Sequence, residues 1–173
     1  MAKVQRGETC LLDLLVRRYE KPLYSFAVRI VNEHTAAEDA FQETFLRVLR
    51  KSSSYRAGSP VRPWLYQICL NVCRDGLRKR SRRPKTVELP EGLSLADPGL
   101  GPEALSAQAM LSERIKDAIN KLPDKHREVF ILQYYQGLQY PEISEIVGIP
   151  VGTVKSRMFH ASQKLSQALE DLR

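Results

Sequence analysis

Between residues 84 and 105 the chain reads PKTVELPEGLSLADPGLGPEAL, with four prolines, three glycines and no sustained spacing of 3.6 or 2. An interior proline forfeits a backbone hydrogen bond and glycine weakens helix and strand alike, so no long regular element crosses this stretch. It divides the 173 residues into a front segment, 1–83, and a back segment, 106–173, joined by a linker at 84–105. Each segment is small and can bury only a modest core.

Both segments repeat apolar residues at helical spacing, and neither holds strand-like alternation long enough for a sheet. The expected fold is all-α: two small helical domains joined by a flexible linker. Helices are expected at about 8–20, 22–32, 36–52 and 62–79 in front, and at about 106–121, 124–136, 140–147 and 151–171 behind. Gly137 and Gly148 suit helix stops, and Pro141 suits a first turn. Thr35 and Glu38 have the S/T-x-x-E spacing of a capping box at the third helix.

Charge is spread unevenly. Residues 1–83 carry 17 Lys and Arg against 8 Asp and Glu, residues 84–105 carry 1 against 4, and residues 106–173 carry 9 against 8. The basic excess ends in RDGLRKRSRR, a run that either solubilises the surface or meets a polyanion. The apolar runs are too short to cross a bilayer and the amino-terminal MAKVQRGETC has no apolar core segment, so a cytoplasmic protein without membrane insertion is expected. Cys10, Cys69 and Cys73 form neither an even disulfide framework nor a paired zinc spacing, which suits a reducing compartment.

The sharpest local pattern is YPEISEIVGIPVGTVKSRMFHASQKL, residues 140–165. A short helix ends at Gly148 and a second begins near Val151, the helix-turn-helix pattern. At 100° per residue Val154, Met158, Ala161, Leu165, Leu169 and Leu172 share the stripe that must be buried. Lys155, Ser156, Phe159, His160 and Gln163 then face outward. An aromatic among hydrogen-bond donors on such a helix suits base edges and a thymine methyl in a major groove, although a protein partner could cover the same face.

In the helix at 62–79, Gln67, Asn71, Arg74 and Arg78 share one narrow polar strip, with Trp64 at its edge and the basic run 78–83 at its end. Amide, guanidinium and aromatic groups suit a single strand with splayed bases; a solvated face is the alternative. Cys69 and Cys73 fall on the apolar side and read as buried small hydrophobes rather than metal ligands. In AAEDAFQETFLRVLRK, residues 36–51, Phe41, Phe45, Val48 and Leu49 form the expected core stripe, while Asp39, Gln42, Glu43 and Leu46 face away. A leucine beside an amide and two acids that Arg47 and Arg50 keep ionised resembles a docking patch more than a catalytic dyad.

Taken together, AEDAFQETFLRVLR, YRAGSPVRPWLYQICLNVCRDGLRKRSRR and AINKLPDKHREVFILQYYQGLQYPEISEIVGIPVGTVKSRMFHA resemble regions 2.2, 2.3–2.4 and 4 of the extracytoplasmic-function (ECF) group of bacterial sigma factors, the specificity subunits of RNA polymerase. The resemblance implies a first domain at 1–83, a linker at 84–105 and a second domain at 106–173. It implies docking on the β′ clamp helices of core RNA polymerase through Asp39, Gln42, Glu43 and Leu46, with the β subunit as a further contact. Capture and melting of the −10 element would fall to Tyr55, Ser59, Trp64, Gln67, Asn71, Arg74, Arg78, Lys79 and Arg80. The −35 duplex would be read by Thr153, Lys155, Ser156, Arg157, Phe159 and His160. Promoter DNA and an anti-sigma factor are the other implied partners, and neither a cofactor, a metal nor a catalytic residue is implied. His160 stands where many relatives have arginine.

Two other classes compete with that resemblance. A stand-alone helix-turn-helix regulator would use the back segment alike but leaves the patch at 39–46 without a role. A metal-dependent phosphotransfer enzyme would use Asp39 and Glu43, yet the sequence supplies no third convergent acid or general base.

Overall fold

The computed structural model describes residues 9–52, 55–56, 58–82 and 102–170, with side chains described from Asp13 in the first helix and from Met110 in the fourth. Every regular element among the described residues is helical. In front lie α1 (Thr9–Val31), α2 (His34–Lys51) and α3 (Val61–Ser81); behind lie α4 (Pro102–Asn120), α5 (Asp124–Phe130), α6 (Tyr140–Val147) and α7 (Val151–Ala168), with one π-helical turn at Ile131–Tyr135 after α5. Most of the stretch read as linker, together with the side chain of Cys10 and all of Leu172, lies outside the described residues. Its end does not: α4 begins at Pro102, a position where the missing N–H has no intrahelical acceptor to lose.

The front segment has one long helix where two were expected, with Pro22 inside it. An interior proline costs ~3 kcal/mol. Leu23, Phe26, Ala27 and Ile30 are buried just beyond it, and burying a large apolar side chain contributes ~1.5–3 kcal/mol. Packing therefore carries the helix through the break.

The capping box expected at Thr35 and Glu38 does not form. The helix starts before it, at His34, behind an extended Glu33 that makes no side-chain cap. Contacts from neighbouring helices hold this start instead: the Tyr24 hydroxyl lies 3.0 Å from His34 Nδ1, and Glu33 pairs with Arg80 of α3. Glu38 is left exposed.

The buried stripe of α2 is Ala37, Ala40, Thr44, Phe45 and Val48. Thr44 is fully buried because its hydroxyl donates to the Ala40 carbonyl at 2.6 Å within the same helix. Leu49, expected in the core, is 42% exposed, and Phe41 is half-buried. Cys69 and Cys73 are free thiols in the core, as expected. Hydrogen bonding with Cys69, then burial, pushes the Cys73 thiol up, so it stays protonated and inert.

The two helical groups pack on each other. The α3 helix lies against α6, and α1 against the π turn. Buried side chains from both groups, from Leu23 to Leu165, belong to a single apolar cluster. Arg29 of α1 sits 3.8 Å from the ring centroid of Tyr135, and Asn120 Nδ2 donates to Asn32 Oδ1 at 3.1 Å.

Candidate nucleic-acid and protein interfaces

The helix-turn-helix is built by local chemistry. Gln139 and Glu142 close a capping box at the start of α6, with the Gln139 N–H donating to Glu142 Oε2 at 2.8 Å. At its end Gly148 adopts φ +74°, a left-handed turn that glycine enters without a Cβ penalty. The Ser144 hydroxyl then donates to the Ile149 carbonyl at 2.5 Å and fixes the path into α7.

On α7, Val154, Ala161 and Leu165 are buried and Met158 and Leu169 half-buried. The outward set is as expected: Lys155, Ser156, Phe159, His160 and Gln163 are exposed, and Phe159 is 66% exposed. Thr153 and Arg157 are half-buried at the edge of this face. Sequence reasoning missed His126 of α5, whose ring lies 6.0 Å from that of His160, while Phe159 meets His160 at 5.5 Å. Burial, with His160, Arg157 and Lys164 nearby, holds the His126 imidazole below its ordinary value.

On α2, Asp39, Gln42, Leu46 and Leu49 are all exposed, with Leu46 at 48%. Their 3-4-3 spacing is that of a two-helix seam, so the ridge fits a partner helix. Glu43 flanks the ridge. Arg47 Nε donates to its carboxylate at 2.8 Å and holds it below the usual carboxylate range. Through Nη1 the same arginine reaches Asp75 of α3 at 3.0 Å and ties the ridge to the rest of the front group.

Before α3, Tyr55, Ser59 and Trp64 come together. The Tyr55 hydroxyl donates to the Ser59 carbonyl, and the Tyr55 and Trp64 rings meet edge-on at 5.0 Å. Tyr55 is buried and Trp64 half-buried, so a base would stack there only after a local shift. Along α3 the polar strip is partly covered. Gln67 Nε2 donates to the Glu145 carbonyl at 3.0 Å. Arg74 grips Glu128 through Nε–Oε1 at 2.8 Å and Nη2–Oε2 at 2.6 Å. Asn71, Arg78, Lys79 and Arg80 are exposed, with Arg80 paired to Glu33. Two further donors were missed: Arg62 to the Gln136 carbonyl, and the Tyr66 hydroxyl to Gln136 Oε1 at 2.6 Å.

An exposed helix-turn-helix face in one group, and an exposed helix-seam ridge beside a donor-lined helix in the other, are the surfaces this fold offers to partners. Residues 15–83 match the family description "Sigma-70 region 2" and residues 112–165 match "Sigma-70, region 4". The chain belongs to the sigma-70 family, in its ECF group. It is 34% identical to the ECF RNA polymerase sigma factor SigW of Bacillus subtilis, covering 98% of this chain and 95% of that one. Identity is 32% with the RNA polymerase sigma-H factor of Pseudomonas aeruginosa, over 98% and 92%. Among solved structures, the sigma factor RpoE in complex with the anti-sigma factor NepR from Bartonella quintana aligns at TM-score 0.75 and 26% identity, covering 93% of this chain and 98% of that one. CnrH in complex with the cytosolic domain of CnrY aligns at TM-score 0.74 and 26% identity, covering 98% and 94%. Among the described residues no helix is long and apolar enough to cross a membrane.

Proposed function

We propose that this sigma factor divides promoter recognition between two faces and is tethered to polymerase by a third. The observation that carries this reading is the coexistence, on one chain, of the exposed 39-42-46-49 ridge and the exposed face of α7. A regulator acting on DNA alone has no use for the ridge. In this reading residues 1–83 dock on the β′ clamp helices of core RNA polymerase through Asp39, Gln42, Glu43 and Leu46. The strip of α3 and the cluster of Tyr55, Ser59 and Trp64 then hold the melted −10 strand. Residues 106–173, reached through the linker at 84–105, place α7 in the −35 major groove, where Phe159 supplies apolar contact and Lys155, Ser156, Arg157 and His160 supply donors.

The protein performs no chemistry itself: binding extruded bases offsets an unstacking cost of a few kcal/mol. It works in the cytoplasm, where polymerase is. An anti-sigma factor controls it, a reading supported by the alignment with the sigma factor RpoE solved in complex with the anti-sigma factor NepR. Reconstitution tests the whole reading. Core polymerase plus this protein should start specific transcripts from promoters selected out of genomic DNA, and failure to initiate, together with tight operator binding in the absence of polymerase, would overturn it.

A further inference from the structure

Several arginines of the helices are neutralised within the chain: Arg47 by Glu43 and Asp75, Arg74 by Glu128, Arg80 by Glu33 and Arg127 by Asp124. The packed faces of α5 and α7 are different. There His126 of α5 meets His160, Arg157 and Lys164 of α7, with the two imidazole rings 6.0 Å apart. Among the described residues none of these four side chains forms an ion pair. His126 Nδ1 is buried and meets no hydrogen-bond partner among those residues. The acids of α5 itself are engaged elsewhere, Glu128 on Arg74 and Asp124 on Arg127. The π turn packed on α5 offers Tyr134, stacked on Phe130, and Tyr135, beneath Arg29. Four groups that carry or can take positive charge therefore converge with no acid to balance them.

The cluster stands beside Phe159, whose ring lies 5.5 Å from that of His160 on the outward face of α7. Burial first, then the three α7 groups, hold the His126 imidazole below its ordinary value, so at neutral pH it is uncharged in the free chain. A phosphate placed among these groups reverses that balance. It accepts from guanidinium and ammonium alike and supplies the negative charge that an imidazolium needs. We propose that His126, His160, Arg157 and Lys164 form a phosphate seat joining α5 to the face of α7, taken by a backbone phosphate of the −35 duplex, and that filling it brings a proton from solvent onto His126. Phosphate and proton then bind together, so duplex affinity rises as pH falls. This rests on the reading that α7 enters the −35 groove, and it adds to that contact a residue of α5 and a proton.

Holoenzyme binding to a −35 duplex tests it, read by fluorescence anisotropy between about pH 7.5 and 6 at fixed ionic strength. His126→Gln cannot take the proton, and its curve carries whatever pH dependence polymerase itself has; His126→Asn serves if the glutamine variant melts early. Wild type should gain about threefold to tenfold in affinity over that range relative to the variant, within the ceiling of about tenfold per pH unit that one proton sets. Replacing single backbone phosphates by uncharged methylphosphonate should find a position that removes this gain from wild type and costs His126→Gln less. Inorganic phosphate separates the two sources of the same chemistry. Added to the free full-length chain at fixed ionic strength, it should leave the NMR titration of His126 in place; a rise with inorganic phosphate alone makes this a site for free phosphate and overturns the assignment to DNA. Equal pH dependence in wild type and His126→Gln, or no methylphosphonate position coupled to His126, overturns the proposal while α7 stays in the groove. Wild-type holoenzyme that binds a scrambled duplex as well as the −35 duplex overturns the reading of α7 itself, which separates that failure from failure of the seat.

Discussion

Arg47 donates to Glu43 at 2.8 Å along α2 and, through its other nitrogen, to Asp75 of α3 at 3.0 Å. One guanidinium thus keeps the acid beside the ridge ionised and fixes the ridge to its neighbour. Glu43→Lys puts a third cation next to Arg47 and Arg50 and reverses the sign that a basic partner helix would meet. We expect a loss of affinity for core polymerase of about tenfold or more, with −35 duplex binding unchanged. The Glu43 carboxyl is held below its ordinary 4.5, so its contribution is complete at neutral pH and is lost only as pH falls through that lowered value. Polymerase affinity should therefore be flat between about pH 6 and 8 on account of this group, which surface plasmon resonance across that range would check.

Leu49 separates a core residue from a docking residue. Leu→Ala in a core costs about 2–5 kcal/mol, whereas Leu49 is 42% exposed on the ridge that carries Leu46. Leu49→Ala should move the melting temperature by less than about 2 °C, as surface changes do. The same change should weaken polymerase binding about threefold to tenfold by removing apolar area from the seam. A large loss of thermal stability would return Leu49 to the core.

The parts of the molecule legible in its sequence are those that local chemistry decides. The turn at Gly148, the buried stripe through Val154, Ala161 and Leu165, and the outward Phe159 all follow from glycine's freedom and a 100° period. What was misread depends on distant partners. Pro22 looks like a stop until the burial of Leu23, Phe26 and Ile30 is weighed. Thr35 looks like a cap until Tyr24 and Arg80 are seen to hold the helix start two residues earlier. The α3 strip was recognised as one polar face, but its cover was not, because Arg74 and Gln67 find acceptors 54 and 78 residues away. Spacing assigns a side chain to a face; it does not say what packs there.

Gly148 sits at φ +74° with open space around the position a Cβ would take. Substitution there meets backbone strain rather than a clash. Gly148→Ala should cost the back group about 1–2 kcal/mol. Gly148→Asn should cost less, because asparagine tolerates the left-handed region. Thermal denaturation of the three proteins should rank glycine, asparagine, alanine, and −35 duplex affinity should fall in the same order as the entry to α7 loosens.

Phe159 and Gln163 test which side of α7 meets DNA. Both are exposed, so neither alanine variant should shift stability by more than about 0.5 kcal/mol. Phe159→Ala should reduce holoenzyme binding to a −35 duplex by about 1–3 kcal/mol, the discrimination carried by one good base contact, while Gln163→Ala stays near wild type. Gel-shift titrations with polymerase present read both. Equal losses for the two would mean that α7 lies rotated from the orientation described.

His126, beside His160, gives the second domain a pH dependence whose sign follows from its surroundings. Burial comes first, then His160, Arg157 and Lys164, all on α7, in holding the His126 imidazole below its ordinary 6.5. A group that binds its proton less readily folded than unfolded favours the unfolded chain once protons are abundant. The stability is complete above about pH 6.5 and drains as pH falls through that value toward the lowered one. His126→Gln cannot take a proton, so its melting temperature should decline less than that of the wild type between about pH 7 and 5.5. A bound −35 duplex brings phosphates to the same cations and favours the imidazolium, so the wild-type melting temperature with duplex should lose less over that range than without it. Parallel melting curves for wild type and variant, with and without duplex, would place His126 outside this cluster.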